Sequence, residues 1–188
     1  MGGGDKCLLP VRGRPILAHI LERLTPQCDG LVLNANGDPA RFSAFGLPVV
    51  ADDVPGFAGP LAGLLAAMDW ASEKSTATDL LAVPGDTPFL PADLATRLIA
   101  ARDAAGATIV CASSHRRLHP TVGLWHLSLR AELEHALAEG ERSIGRFARR
   151  LPLVIAEWDE EPDPFLNVNE PGDLEAAEGS RDANPSPL

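Results

Sequence analysis

The amino-acid sequence predicts an α/β protein of three layers, α/β/α, with helices on both faces of a mostly parallel sheet. Three observations lead there. Short, continuously apolar segments alternate with segments whose apolar residues recur at helical spacing. The apolar segments have no polar alternation, so neither face of the sheet is left to water. Polar residues gather directly after these segments, at the strand ends where open parallel sheets bind their ligands.

The elements follow in order. Residues 15–25 read as a helix opened by Pro15, with Ile16, Leu17, Ile20, Leu21 and Leu24 on one face. Residues 31–33 form a short buried strand that runs into Asn34-Ala35-Asn36-Gly37, and Asp38-Pro39 caps a short helix. A strand over 47–51 leads into Asp52-Asp53, and a helix covers 60–74. A strand over 80–83 ends at Pro84-Gly85-Asp86-Thr87-Pro88, followed by a helix over 91–105 and a strand over 107–112. The rhythm then loosens into a strand over 121–125, a helix over 128–138, a helix from a Ser143 cap through Arg150, strands over 153–156 and 165–168, and a short helix from Pro171. One domain over residues 1–178 is expected, with a disordered tail over 179–188 where no apolar period survives.

Length and composition agree with this. A chain of 188 residues, 45% hydrophobic and 22% charged, builds one domain with one sizeable core. The formal net charge of −10, with no basic run longer than two residues, argues against a nucleic-acid surface. It leaves room for phosphate bound by a few converging basic groups and backbone N–H groups. Cys7, Cys28 and Cys111 are odd in number and far apart, without metal spacing, so reduced thiols in a cytoplasmic protein are expected. No apolar run approaches the ~20 residues of a membrane helix.

Several clusters carry possible chemistry, each with a plainer alternative. Gly2-Gly3-Gly4-Asp5-Lys6 either lets backbone N–H groups and a lysine approach phosphate, or is an ordinary N-terminus. Asp86, just beyond a buried strand, either holds Mg²⁺ against a triphosphate or serves a turn. Gly59-Pro60-Leu61-Ala62-Gly63 is a helix start that either faces a ligand or simply begins a helix. Asn167 and Asn169, alternating on a strand end, either join a metal or phosphate shell or belong to a turn before Pro171. Arg116, Arg117 and His119 form a further cluster. Arg142, Arg146, Arg149 and Arg150 form another, sharing a helix face that either meets an anionic substrate or is solvated.

Taken in order, the segments Met1-Gly2-Gly3-Gly4-Asp5-Lys6, Asn34-Ala35-Asn36, Asp52, Gly59 to Gly63, Gly85-Asp86-Thr87-Pro88, His119-Pro120-Thr121 and Asn167 to Pro171 resemble the molybdenum cofactor guanylyltransferase family. The resemblance implies a Rossmann-like sheet of the nucleotide-diphospho-sugar transferase type. It implies transfer of GMP from GTP to the phosphate of molybdopterin, with Mg²⁺ as cofactor. Under it Lys6 and Asp86 are catalytic, Asp86 is the metal ligand, and Gly3, Lys6, Asn34, Asp52, Asp86, Asn167 and Asn169 bind nucleotide, metal or pterin. It suggests a monomer that hands its product to molybdoenzymes or their chaperones, with no membrane partner. A cytidylyltransferase acting on the same pterin, a sugar-phosphate nucleotidyltransferase and a non-catalytic binding remnant are the alternatives. The family opens with an apolar strand and a Leu-Ala-Gly-Gly loop ahead of the Met-Gly pair, so the working protein is expected to begin upstream of Met1.

Overall fold

The computed structural model describes residues 5–53 and 59–168. The expected helix from Pro171, the tail over 179–188, the end of the domain at 178, and Gly3 and Asn169 lie outside the described residues.

The chain opens with a 3₁₀ turn, Lys6–Leu8, and a small hairpin of β1 (Pro10–Val11) and β2 (Arg14–Pro15). Arg12 and Gly13 both take positive φ, 49° and 74°. That is the two-residue turn matching the twist of paired strands, which apolar periodicity does not distinguish from loop. α1 (Ile16–Leu24) buries Ile16, Leu17, Ile20 and Leu24, four of the five residues expected on its inner face. β3 (Leu33–Asn34) pairs in parallel with β4 (Val49–Val50), and between them Asp38 caps a 3₁₀ helix, Pro39–Phe45, by accepting from the Ala40 N–H at 2.9 Å. α2 (Pro60–Lys74) has the expected bounds.

A four-stranded sheet follows, ordered β5 (Asp79–Ala82), β7 (Arg117–His126), β6 (Ile109–Ser114), β8 (Leu153–Trp158). β6 and β8 are parallel, and β7 runs antiparallel to both β5 and β6. Thus β5, β6 and β8 point one way and β7 alone is reversed. α3 (Leu94–Ala105), α4 (Arg130–Ala138) and α5 (Ile144–Ala148) complete the framework.

β6 sets the layers. All its residues are buried. Val110 and Ala112 join a core with α1 and α3, whereas Ile109 and Cys111 join a core with α2, α4 and α5. Successive strand side chains point to opposite faces, so a doubly covered strand reads as a continuous apolar run. The expected α/β/α layering is observed.

One expected strand is absent. Residues 165–168 run as a loop. Pro162 and Pro164 remove ladder donors just upstream, and the Asp163 carboxylate accepts the Phe165 N–H at 2.9 Å. The Val168 N–H goes to a loop carbonyl, that of Asp86, at 2.8 Å, rather than to a strand.

Between the β3–β4 pair and β5 lies a groove of about 1130 Å³, walled by Leu17, Ile20 and Leu24 of α1 on one side and by Leu64 and Ala67 of α2 on the other. It runs along β5 from Asp79 and Arg102 to Asp86. Among the described residues, β5 has a sheet neighbour on its β7 side only. Amide hydrogen exchange followed by NMR is therefore expected to protect alternate β5 amides, those facing β7, and to leave the groove-facing ones in fast exchange. Uniform protection would mean that a segment outside the described residues pairs with this edge.

Candidate functional site

The groove has apolar walls and is polar at both ends, with Asp79 and Arg102 at one and the ends of β3 and β5 at the other. Lys6, Asn34, Asn36, Arg41 and Asp86 line that end. Of the residues expected to form the site, it brings Lys6, Asn34 and Asp86 together along one groove. Asp52 sits behind Asn34, and Asn167 behind the Asp86 loop.

Asp86 follows β5 in a loop whose glycine is used for close approach: a Cβ on Gly85 would lie 3.3 Å from Cys7 Cβ. This contact seats the Lys6–Leu8 turn against the Asp86 loop, and Lys6 is exposed at its start. Oδ1 of Asp86 is buried and accepts no hydrogen bond among the described residues. A buried carboxylate oxygen without a donor is costly, and a cation removes that cost. Among the described residues no group of three or more His, Cys, Asp or Glu side chains could hold a metal. A cation here would thus rest on one carboxylate plus oxygens from a ligand and water, which suits Mg²⁺. Thr87, fully buried, donates to Asn167 Oδ1 at 3.2 Å, so Asn167 is tied to the Asp86 loop.

Asn34, Asn36 and Asp52 form a hydrogen-bonded unit at the ends of β3 and β4. Asn34 Nδ2 donates to Asp52 Oδ1 at 3.0 Å, Asn36 Nδ2 donates to Asp52 Oδ2 at 2.8 Å, and the Asp52 N–H donates to Asn36 Oδ1 at 2.8 Å. The Asp52 carboxylate, expected among the nucleotide-binding residues, is engaged by two side-chain amides that fix its orientation. Gly63 on the first turn of α2 makes room for this unit, since a Cβ there would fall 2.2 Å from Asn34 Oδ1. The glycine of the Gly59–Gly63 segment therefore serves side-chain packing at the site.

Two further residues contribute that were not expected at the site. Arg41 pairs with Asp5 through Nε at 2.5 Å and donates to the carbonyls of Asn36 and Asp38, joining the N-terminal turn to the β3 loop. No local pattern marks a pair 36 residues apart. Thr121 also lines the groove. The β6–β7 register shifts between Cys111, opposite Gly123, and Ala112, opposite His119, which loops out Pro120 to Val122. Pro120 lacks the N–H that a continued ladder would use, so the bulge follows from the His119-Pro120-Thr121 segment.

The second arginine cluster is mostly occupied locally. Glu141, with a side chain 4% exposed, accepts from Arg146 Nη2 at 2.8 Å, Arg150 Nη2 at 2.9 Å, and the N–H groups of Arg142 and Ser143. The Arg146 guanidinium foremost, with the Ser143 N–H, holds the Glu141 carboxyl at about 2. Arg142 donates to the carbonyls of Leu137 and Glu141, and Arg149 is exposed. Arg116 and Arg117 are exposed at the β6–β7 turn, whereas His119 is buried. Burial lowers the His119 pKa; Asp163 opposes that shift and Arg117 adds to it.

A mixed sheet of this order with a carboxylate and an amide-oriented polar cluster at its strand ends is an arrangement suited to a nucleotidyltransferase. The MobA-like NTP transferase domain family matches residues 1–154. A protein of Bradyrhizobium sp. (strain ORS 278) named molybdenum cofactor guanylyltransferase is 52% identical over 181 residues, covering 95% of this chain and 85% of that protein. The crystal structure of molybdopterin-guanine dinucleotide biosynthesis protein A from Archaeoglobus fulgidus superposes with a TM-score of 0.74 at 22% identity, covering 97% of this chain and 93% of that one. A Mycobacterium tuberculosis H37Rv protein crystallised in complex with manganese gives 0.70 at 21% identity, covering 95% and 94%. These structural likenesses establish the fold. The chain belongs to the molybdenum cofactor guanylyltransferase family, within the MobA-like NTP transferase domains.

Gly63→Ala is expected to leave the fold intact, because the atom in the way is the end of a side chain, but to displace Asn34 from Asp52. Losing that orientation costs about 1–3 kcal/mol, or a rise in nucleotide KM on the order of 5- to 150-fold. Steady-state kinetics beside a thermal melt will check this; an unchanged KM would remove the Asn34–Asp52 unit from the nucleotide site.

Proposed function

We propose that this protein transfers GMP from GTP to the phosphate of molybdopterin, giving the guanine dinucleotide form of the molybdenum cofactor and pyrophosphate. The observation that carries this reading is the 52% identity, over 95% of the chain, to a relative of that name. The geometry supports it by supplying residues for each role.

A phosphate monoester is already largely dianionic near neutral pH, so the attacking oxygen needs no strong base from the protein. That oxygen forms a bond to the α-phosphorus of GTP, the bond from the α-phosphorus to the bridging oxygen breaks, and pyrophosphate leaves with the electron pair. Such a transfer depends on alignment and on neutralising phosphoryl charge. Lys6, on the turn packed against Gly85, brings a positive charge to the triphosphate. Asp86 would hold Mg²⁺ through its buried, donor-free Oδ1. When bound, Mg²⁺ neutralises charge on the triphosphate and on the leaving group. Asn34 and Asp52, held by Asn36 and spaced by Gly63, take the guanosine; Asn167, anchored by Thr87, faces the metal or pterin side. The free thiols Cys7, Cys28 and Cys111 suit a cytoplasmic enzyme. No described helix is long and apolar enough to cross a membrane.

Pyrophosphate release measured with molybdopterin and each of GTP, CTP and ATP tests the function. GTP is expected to win by at least tenfold, because a base that mismatches polar partners leaves them unpaired at about 1–3 kcal/mol each. Equal turnover with CTP would make the protein a cytidylyltransferase. Asp86→Asn keeps the size of the side chain and the main-chain bond to Val168, and is expected to lower turnover by far more than tenfold while the melting temperature holds. More than a tenth of the wild-type rate would mean a loss under about 1.4 kcal/mol, too little for the metal ligand.

A further inference from the structure

The loop carrying Asp86 is held from one side by a segment with no regular structure of its own. Residues 163–168 lie beyond β8 and touch the Asp86 loop at two points: the Val168 N–H on the Asp86 carbonyl at 2.8 Å, and Thr87 Oγ1 on Asn167 Oδ1 at 3.2 Å. A loop fastened in this way is only as well placed as whatever fixes the segment. Phe165 does so: it is 2% exposed, packs edge-on against Trp158 at 5.3 Å, and lies 5.1 Å from the ring of His119. His119 is in turn locked, its Nε2 hydrogen-bonded to Ser114 Oγ at 2.7 Å, with Ser114 1% and His119 8% exposed. Ser114 ends β6, the strand buried on both faces, so the chain of contacts starts from the most firmly held part of the sheet.

We propose that His119 is a positioning residue for nucleotidyl transfer: clamped by Ser114, it sets its ring against Phe165 and so fixes the 163–168 segment that holds Asp86 in place. The inference rests on the reading of Asp86 as the metal ligand. His119 is not among the residues that line the groove. Its work is done by the shape and fixed orientation of the ring, whose charged neighbours are Asp163 on the segment and Arg117 on its own strand.

This makes a specific expectation about which substitutions matter. His119→Ala removes the ring from Phe165. It is expected to weaken Mn²⁺ binding to the enzyme–GTP complex by at least fivefold and to lower kcat about tenfold, with GTP KM changed less than twofold. The double variant Ser114→Ala/His119→Phe keeps a ring against Phe165 and leaves no polar group unpaired, so it is expected to recover most of both losses. Phe165→Leu, a milder change on the other side of the contact, is expected to shift Mn²⁺ affinity in the same direction, and carries the test if His119→Ala does not fold. The measurements are electron paramagnetic resonance of free Mn²⁺ in titrations without pterin, turnover, and thermal melts, with Asp86→Asn as control. A His119→Ala protein with a lower melting temperature but wild-type Mn²⁺ affinity and kcat would overturn the proposal, as would a double variant as impaired as His119→Ala. If Asp86→Asn itself keeps Mn²⁺ affinity and turnover, the reading of Asp86 fails first; if only the His119 and Phe165 variants are silent, the positioning role fails alone.

Discussion

The structure depends on one strand being buried on both faces. β6 places Val110 and Ala112 against α1 and α3, and Ile109 and Cys111 against α2, α4 and α5. Each core needs the other for the strand between them to be stable, since a half-covered run of this kind would leave apolar side chains in water. β7 and β8 take the two ladder edges of β6, and β5 is added outside β7. The rest of the sheet, and the points where its loops emerge, are built outward from that strand.

The site collects where these strands end, and each polar group there is positioned by something small. Gly85 allows the Lys6–Leu8 turn to approach the Asp86 loop, and Gly63 allows Asn34 to lean on the first turn of α2. Pro120 stands in a bulge that interrupts the β6–β7 ladder, and Thr121 beside it lines the groove. Positions of this kind hold geometry at little enthalpic gain, which is why a change of one methyl group is expected to be felt in binding more than in stability. Asp86 differs from Asp52: its buried Oδ1 has no donor among the described residues, whereas both carboxylate oxygens of Asp52 accept an amide.

Charge elsewhere serves architecture. Glu141 gathers Arg146, Arg150 and two backbone N–H groups into a cap between α4 and α5. Asp79 and Arg102 pair at 2.5 Å at the far end of the groove, tying α3 to β5. Arg97 lies over the Trp158 ring at 4.2 Å and pairs with Glu160. These contacts keep Arg97, Arg102, Arg146 and Arg150 engaged with acidic or aromatic partners.

By itself the sequence determined the layered α/β class, the bounds of α2, the inner face of α1, and the caps at Asp38 and Ser143, because each follows from apolar spacing or from one side chain meeting its own backbone. It also placed Asp52 and Asp86 after strands and Asn34 close to the end of one, where β3 in fact includes it, since turns that end buried strands are polar wherever a sheet opens to a ligand. Only the tertiary structure decided that β7 runs against its neighbours, that residues 165–168 are a loop clasping Asp86, and that Arg41 belongs to Asp5. The physical reason is common to all three. Strand direction and long-range pairing depend on which surfaces remain to be covered once the cores have formed, and contacts between residues tens of positions apart leave no period along the chain.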